Sequence, residues 1–526
     1  MGGHGYESRN NGALRRYLLM ASALTMIFVA HSAMAQGATI AALVPDTGNT
    51  LAEVVVTAQR RTENLQDVPL AISAMGAEQV RTAAITNLTG IAQRVPGLTV
   101  SPFAPGQTII SLRGVSSNDD GAGTDNSVAV FTDGVYSGRV TNIGTELFDI
   151  QSIEVLRGPQ GTLYGKNTIG GAIVVTTTRP DENDLRGRVQ LDTGNYNLFG
   201  FQGLVTGPLG NGWAGKISVD SRDRDGWANN VYLHTKEHGE NDSGGRGQLL
   251  YDQGGPTVLL SVNYDKSDNG DIGRIPLTQI TGNLGPLVSE YDAYCSHINF
   301  RCTANPVDGY SHLVNYGASA EVNDKTAIGT ITSITAYVHN HVNSLMDATG
   351  IPEFVLGNYI NDTTDQWSQE VRLGGQIDNV KYVIGAFYLN ERTDRLRLFT
   401  YQNTFTNASF AQQDNTTNSY ATFGQADWEF MRDFVLSLGG RLTYDTKSIH
   451  NNSHFGDFPI IETSFTNSRS ASWGGLLAEG DAGLPPSQGF DALRELCQGL
   501  QERGFRRGAD HRSGHQSLEG GDRDQL

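Results

Sequence analysis

The chain has 526 residues, with 56 Asp+Glu against 38 Lys+Arg, a formal charge of −18, and three Cys. That length calls for more than one domain or one very large sheet. The acidic balance offers no broad basic face to a nucleic acid, and three Cys cannot build a disulfide scaffold. Only 38% of residues are hydrophobic and 18% charged. The remainder, rich in Gly, Ser, Thr, Asn and Gln, argues against a helical soluble enzyme and a helical membrane protein alike.

Residues 1–35 read as a secretory signal peptide. Arg15 and Arg16 precede an apolar run from Tyr17 to Ala30, and Ala33-Met34-Ala35 supplies small residues for cleavage before Gln36. The run is about 14 residues, against the about 20 that a membrane span requires. No later apolar run reaches that length, so any membrane crossing must use a closed β-barrel, the other structure that satisfies its backbone in lipid.

Residues 36–63 form a polar, turn-prone arm. Within it Glu53, Val54, Val55, Val56, Thr57 and Ala58 make a β-prone hexapeptide. It can serve either as a strand added to a partner's sheet edge or as the first strand of the next domain. From Asn64 to Pro180 the pattern is mixed. Short helices are expected at 76–80 and 87–94, and strands at 98–100, 108–112, 127–131, 153–156 and 172–177, between Gly, Pro, Asn and Asp turns. This is a small α+β domain.

After about Leu185 strand patterns of about ten residues alternate with turns of unequal length. Val258, Leu260, Val262 and Tyr264 alternate with Ser261, Asn263 and Asp265; Trp367, Val371 and Leu373 alternate with Ser368, Glu370 and Arg372; Phe434 to Tyr444 behaves likewise. Either a transmembrane barrel or a soluble sandwich alternates in this way. The export signal, together with long loops at 265–315 and 339–365 against short turns at 252–255 and 375–379, favours the barrel. Cys295 and Cys302 lie in the first of those loops, where an oxidising exterior permits a disulfide. Tyr291, Tyr294, His297, Phe300, Tyr310 and His312 around them are candidate ligand contacts.

No catalytic or metal constellation emerges. GTLYGKNT at 161–168 is not a phosphate-binding loop, because Gln160 stands where the first Gly is needed and Asn167 where the magnesium-binding hydroxyl is needed. Nucleophile elbow, paired-His and CxxC motifs are missing from the sequence.

Several blocks resemble a known family. EVVVTA (53–58), QDVPLAIS (66–73), SLRGV (111–115), DGVY (133–136) and above all FDIQSIEVLRGPQGTLYGKNTIGGAIVVTTTRP (148–180) are similar to TonB-dependent outer-membrane receptors. The resemblance spans about 52–477. It implies that 53–58 is the box bound by TonB of the TonB-ExbB-ExbD complex, that 64–180 is an α+β plug, and that 185–477 is part of an antiparallel transmembrane β-barrel. In such receptors the plug closes the lumen, a small-molecule ligand binds at its outer apices and the extracellular loops, and TonB pulls on the box. The commonest ligand class is a ferric siderophore; haem, cobalamin and oligosaccharide are alternatives, and no resident cofactor or metal is implied. Arg113 and Arg157 resemble two lock arginines that pair with barrel glutamates, with Glu370 as a partner; the Arg fork suits a buried carboxylate. An arm of about 17 residues ahead of the box is too short for a folded signalling domain.

About eleven strand candidates appear, whereas plugged transporters have 22. Residues 478–526 lose the alternation. Shifted by one base, the degenerate codons from Asp491 to Phe505 permit MLYASYAKGYKSGGF, which resembles a strand of the family. The expectation is a frameshift near Leu477 and an out-of-frame tail, so that only about the first half of the barrel is encoded.

Overall fold

The computed structural model describes residues 55–483, except 62, 66–67, 69, 105–106, 118–120, 138, 140–147, 276–290, 292, 296–298, 402–406, 432–433 and 457–462. The expected signal peptide over 1–35, Glu53, Val54 and the tail beyond 483 therefore lie outside the described residues. No described helix is long and apolar enough to cross a membrane.

The N-terminal segment forms a two-stranded hairpin, β1 (Val55–Val56) against β2 (Glu63–Asn64). A mixed sheet follows, built from β3 (Ile72–Gly76), β6 (Val128–Thr132), β7 (Val135–Ser137), β8 (Ile150–Arg157) and β9 (Gly171–Thr177). Its order is β3-β8-β9-β6-β7, with β6 and β9 parallel. A second pair, β4 (Leu98–Ala104) and β5 (Gln107–Leu112), lies apart from it in the ladder.

Three short helices complete this domain: α1 (Ala77–Thr82), α2 (Leu88–Ala92) and α3 (Gly161–Tyr164). Asn87 caps α2 by accepting from Gly90 N at 3.0 Å, which supplies one of the orphan N–H groups of its first turn. Val80, Ile85, Leu88, Ile91, Ile110, Leu112, Ile153, Val155 and Ile173 form one buried core. Gly171, at φ +144°, opens β9 where any Cβ would strike Leu156 O and the Leu112 side chain, so only glycine admits the β8–β9 approach.

The rest of the described chain is one twelve-stranded antiparallel sheet. Its strands are β10 (Arg186–Gly194), β11 (Leu198–Gly210), β12 (Trp213–Arg224), β15 (Glu240–Tyr251), β16 (Thr257–Gly270), β18 (Tyr310–Thr326), β19 (Gly329–Asp347), β20 (Leu356–Ile377), β21 (Val380–Tyr401), β22 (Asn407–Met431), β23 (Phe434–Gly456) and β24 (Thr463–Gly483), each paired with its chain neighbour in the sheet. Three further short strands, β13 (Ala228–Asn230), β14 (Thr235–Glu237) and β17 (Cys302–Thr303), form a small sheet within the long connections.

The alternation that the sequence displays is inverted relative to a soluble protein. Trp367 is 54% exposed and Leu442 58%, whereas Glu370 is 4% and Arg441 5%. Large apolar side chains thus face outward and charged ones inward, which a sandwich does not do and a barrel wall in lipid must. Tyr264, Tyr316, Trp367, Tyr420 and Tyr444 stand at one level, and Trp213, Trp428, Phe430 and Phe434 at the other. From Phe434 to Tyr444 a tilted strand climbs about 25 Å, the height of an apolar band between two aromatic girdles.

Two loop expectations are corrected. Much of 339–365 is strand, since β19 runs to Asp347 and β20 starts at Leu356, and 265–315 is trimmed by β16 and β18. Beyond the girdle both faces meet water, so the apolar alternation fades while the backbone ladder continues. At the short-turn end β24 runs past Leu477, where Ala478 to Gly483 pair with Gly440 to Val435. Ladder hydrogen bonds need no particular side chain.

Candidate functional site

The hairpin at the N-terminus is buried against the plug rather than left as a free arm. Val56 and Ala58 enter a core with Phe131, Tyr136, Leu163, Tyr164, Ala172 and Val174, which also takes Val383, Leu389 and Phe423 from the barrel wall. Thr57 N donates to both carboxylate oxygens of Glu154 at 2.9 Å, and Thr57 Oγ1 donates to Glu154 Oε1 at 3.1 Å. Glu154 is fully buried on β8. Burial raises its pKa, and the Thr57 bonds work against that rise. A flexible arm over 36–63 is thus corrected for residues 55–61 and 63, because apolar burial and an otherwise unmatched carboxylate hold them down. The sheet edge that Val55–Val56 meets is the chain's own.

Three residues later Arg60 makes the central contact between plug and wall. Its guanidinium lies 4.5 Å from the Tyr164 ring centroid and 5.1 Å from that of Phe131. It pairs with Glu370 at 3.2 Å, and Glu370 also pairs with Arg372 at 2.6 Å. Arg441 adds a further charge beside them: a Cβ on Gly165, which has φ +83°, would stand 2.6 Å from Arg441 Nη2.

The expected lock is therefore corrected. Glu370 is a plug anchor, yet its partners are Arg60 and Arg372, and among the described residues neither Arg113 nor Arg157 makes an ion pair. Arg113 is exposed in a left-handed turn after β5, where its N–H donates to Gly97 O at 2.7 Å. Arg157 bonds Ala71 O from its N–H at 3.0 Å and its Nε at 3.4 Å. Both serve the inside of the plug.

Further anchors surround this one. Arg139 meets Glu391 at 2.7 Å, Lys447 meets Asp125 at 2.6 Å, and Arg61 meets Asp427. Asp149 of the plug reverses the polarity: it binds Lys216, accepts from Ser218 Oγ at 2.9 Å and lies 3.7 Å from Arg246. Arg60, Arg139, Asp149 and Lys216 escaped the sequence reading. The available signal was a charge at an inward strand position, as with Lys216 and Glu391, but its partner lies far away in the chain. Beside the hairpin, toward the short turns, a cavity of about 600 Å³ is lined by Thr57, Arg60, Glu63, Thr332, Arg372 and Lys381 among others.

At the long-loop end, Cys295 and Cys302 are disulfide-bonded with Cα atoms 5.7 Å apart. They sit in a small core with Tyr291, Ala304 and Ile351. Tyr291 is buried and donates to Cys302 O at 3.1 Å, so its role is structural. Tyr294 and Phe300 are exposed, Tyr310 stacks on His312, and His297 lies outside the described residues.

A buried plug held by ion pairs inside an inside-out sheet is the arrangement that known proteins can now be set against. A family description, the TonB-dependent Receptor Plug Domain, matches residues 64–172. Residues 64–172 are thus a plug domain of the TonB-dependent receptor type. The pesticin receptor of Yersinia pestis is 23% identical over 463 residues, covering 86% of this chain and 64% of the relative. The vitamin B12 transporter BtuB of Photobacterium profundum is 28% identical over 183 residues, covering 33% and 28%. Among solved structures, the ferric yersiniabactin uptake receptor FyuA from Yersinia pestis superposes with a TM-score of 0.67 at 21% identity, covering 79% of this chain and 62% of that one. The siderophore receptor PiuA from Acinetobacter baumannii follows at 0.61 and 15%, covering 79% and 62%. The chain spans less than two thirds of the length of the pesticin receptor, FyuA and PiuA. Members of the family are transporters, not enzymes.

Proposed function

We propose that this chain derives from an outer-membrane receptor for energy-coupled uptake of a scarce small molecule, a ferric siderophore in the first instance. The outward apolar band with its two aromatic girdles carries the membrane assignment and disfavours a secreted β-rich binding protein, whose exposed face would be polar. The siderophore assignment rests on the likeness to FyuA, a ferric yersiniabactin uptake receptor, and PiuA, a siderophore receptor. Residues 53–58 would be the segment that TonB grips, and 1–35 the export signal. Freed from Glu154, Thr57 and its neighbours would offer a β-prone peptide to the edge of a partner sheet.

The order of events follows from the anchors. Ligand arriving at the long loops would bear on the plug, which the buried pairs keep fixed in the wall. The hairpin, attached through Thr57–Glu154 and Arg60–Glu370, is the part whose release exposes a pulling point on the side of the short turns. Growth of an iron-starved strain dependent on the intact gene, supplied with single ferric siderophores, haem or cobalamin, tests the ligand class. Growth on haem and on none of the ferric siderophores would overturn the siderophore reading.

The frameshift near 477 also stands as a proposal, with the consequence that the chain as written does not transport. In the described sheet β10 and β24 each have one unpaired edge, and unpaired strand edges are unsupported in lipid. Resequencing codons 470–526 and the bases beyond decides it: an unshifted frame with no barrel strands downstream would refute the proposal.

A further inference from the structure

Three connections at the long-loop end carry acidic side chains that are out of water, and two of them touch where His238 N donates to Asp271 O at 2.8 Å. Glu237 ends β14, Asp271 follows β16 and Asp347 ends β19. All three are essentially unexposed. Glu237 Oε1 accepts from Asn230 Nδ2 at 2.8 Å and from Asn305 Nδ2 at 3.2 Å, while its Oε2 has no hydrogen-bond partner. Both oxygens of Asp271 lack a partner. Asp347 Oδ1 is taken by Thr349 and Gly350, and its Oδ2 is left over.

A second observation does not depend on the charges. Asn305 is fully buried and its amide is held in the cluster by the bond to Glu237, yet its Oδ1 finds no donor. Neutral oxygen and carboxylate oxygens alike are thus acceptors without donors. The backbone approaches them closely: a Cβ on Gly273, at φ +43°, would strike Glu237 Oε2, and one on Gly309 would strike Asp271 Oδ2. The nearby cation, Arg274, donates to Phe103 O at 2.6 Å and leaves these oxygens unmatched.

Buried acceptors without donors cost roughly 1–3 kcal/mol each, and more when charged. One species cancels both deficits, a hard cation with a demand for several oxygens. We propose that Glu237 and Asp271, with Asn305 Oδ1, form a site for a divalent cation of the calcium class, which ties the β13–β14 hairpin to the connection between β16 and β18.

No three acidic, His or Cys side chains among the described residues already converge at ligation distance, so the site uses two carboxylates and neutral oxygens, with Asp347 at its margin. Burial, and next the charge of Glu237, pushes the Asp271 carboxyl up to about 7, as expected for an anion whose counter-charge has yet to be supplied. The site is independent of which ligand the receptor carries. Its role is to rigidify the loops that the Cys295–Cys302 disulfide and Tyr291 already hold together.

Trp227 provides the readout, since it stacks on His238, the neighbour of Glu237, with ring centroids 4.1 Å apart. The full chain, folded in detergent micelles and treated with EDTA, is titrated with Tb³⁺ under excitation of Trp, then with Ca²⁺. The expected result is saturable luminescence reversed by Ca²⁺, lost on Trp227→Phe, and an affinity at least tenfold weaker in Glu237→Gln and Asp271→Asn. Near-ultraviolet circular dichroism checks that the variants keep their packing, and Asn305→Ala provides a milder change that should weaken binding less. Should a carboxylate variant unfold, the wild-type titration and Asn305→Ala still decide. A wild-type chain with no Ca²⁺-reversible signal, or an unchanged affinity in folded variants, overturns the proposal.

Discussion

The plug and the barrel wall solve opposite problems with the same residue types. In the plug, Ile153, Val155 and Ile173 are buried and the loops carry the polar groups, as in any water-soluble domain. In the wall, Leu438, Leu442 and Trp367 are exposed and Glu370, Glu391 and Arg441 are buried. The wall therefore has an abundance of inward charges, and the plug is held by answering them: Arg60 to Glu370, Arg139 to Glu391, Asp149 to Lys216. Such contacts are firm once closed and costly when half-removed.

The comparison is broken most severely at its charged centre. Glu370→Ala leaves Arg60 and Arg372 buried without their carboxylate, and a loss of about 3–5 kcal/mol is expected. It should be read as a lower urea midpoint of the chain in micelles. The double variant with Arg60→Ala should lose less than the sum of the two single changes, as for residues in one contact.

Next comes the lipid face. In the frame-restored chain Leu438→Arg should cost about 2–4 kcal/mol if this face meets the bilayer core, measured as reduced folding into lipid vesicles. If the face is instead wet, the change is nearly neutral.

A smaller effect is expected at the latch. Glu154→Gln replaces an acceptor of Thr57 N–H by a donor, and about 1–3 kcal/mol of hydrogen bonding is at stake. Trypsin should then cut after Arg60 and Arg61 about tenfold faster or more, since each 1.4 kcal/mol is a factor of ten. Equal cleavage rates would remove the latch from the account. Smallest of all, Arg113→Ala should change stability by about 0.5 kcal/mol or less, as for an exposed side chain outside any ion pair. A loss as large as that of Glu370→Ala would restore Arg113 as a lock residue.

Much of the wall was legible because a strand has a fixed period of two. Val258 to Tyr264 and Phe434 to Tyr444 announce two unlike faces whatever the rest of the chain does. The short helices of the plug were legible for a similar reason, with Asn87 as a cap and Gly76 before α1, where Gln79 Oε1 accepts from Gly76 N at 3.2 Å. The strands beyond the girdle were not, since in β19 and β20 above the membrane no solvent difference separates the faces.

What the sequence determined by itself is local and periodic: a sheet with two unlike faces, a compact α+β domain, a β-prone segment ahead of it and two Cys within reach of each other. Only the tertiary structure decided that apolar residues of the wall point outward, that Glu370 meets Arg60 rather than Arg113 or Arg157, and that Glu237 meets Asn305 from a separate connection. The physical reason is range. Backbone propensity and side-chain alternation act over a few residues and leave their mark in the order of letters, whereas a buried charge is matched by whichever opposite charge the closed fold brings near. For Arg60 that partner lies across the lumen on β20, at a position no spacing in the chain encodes.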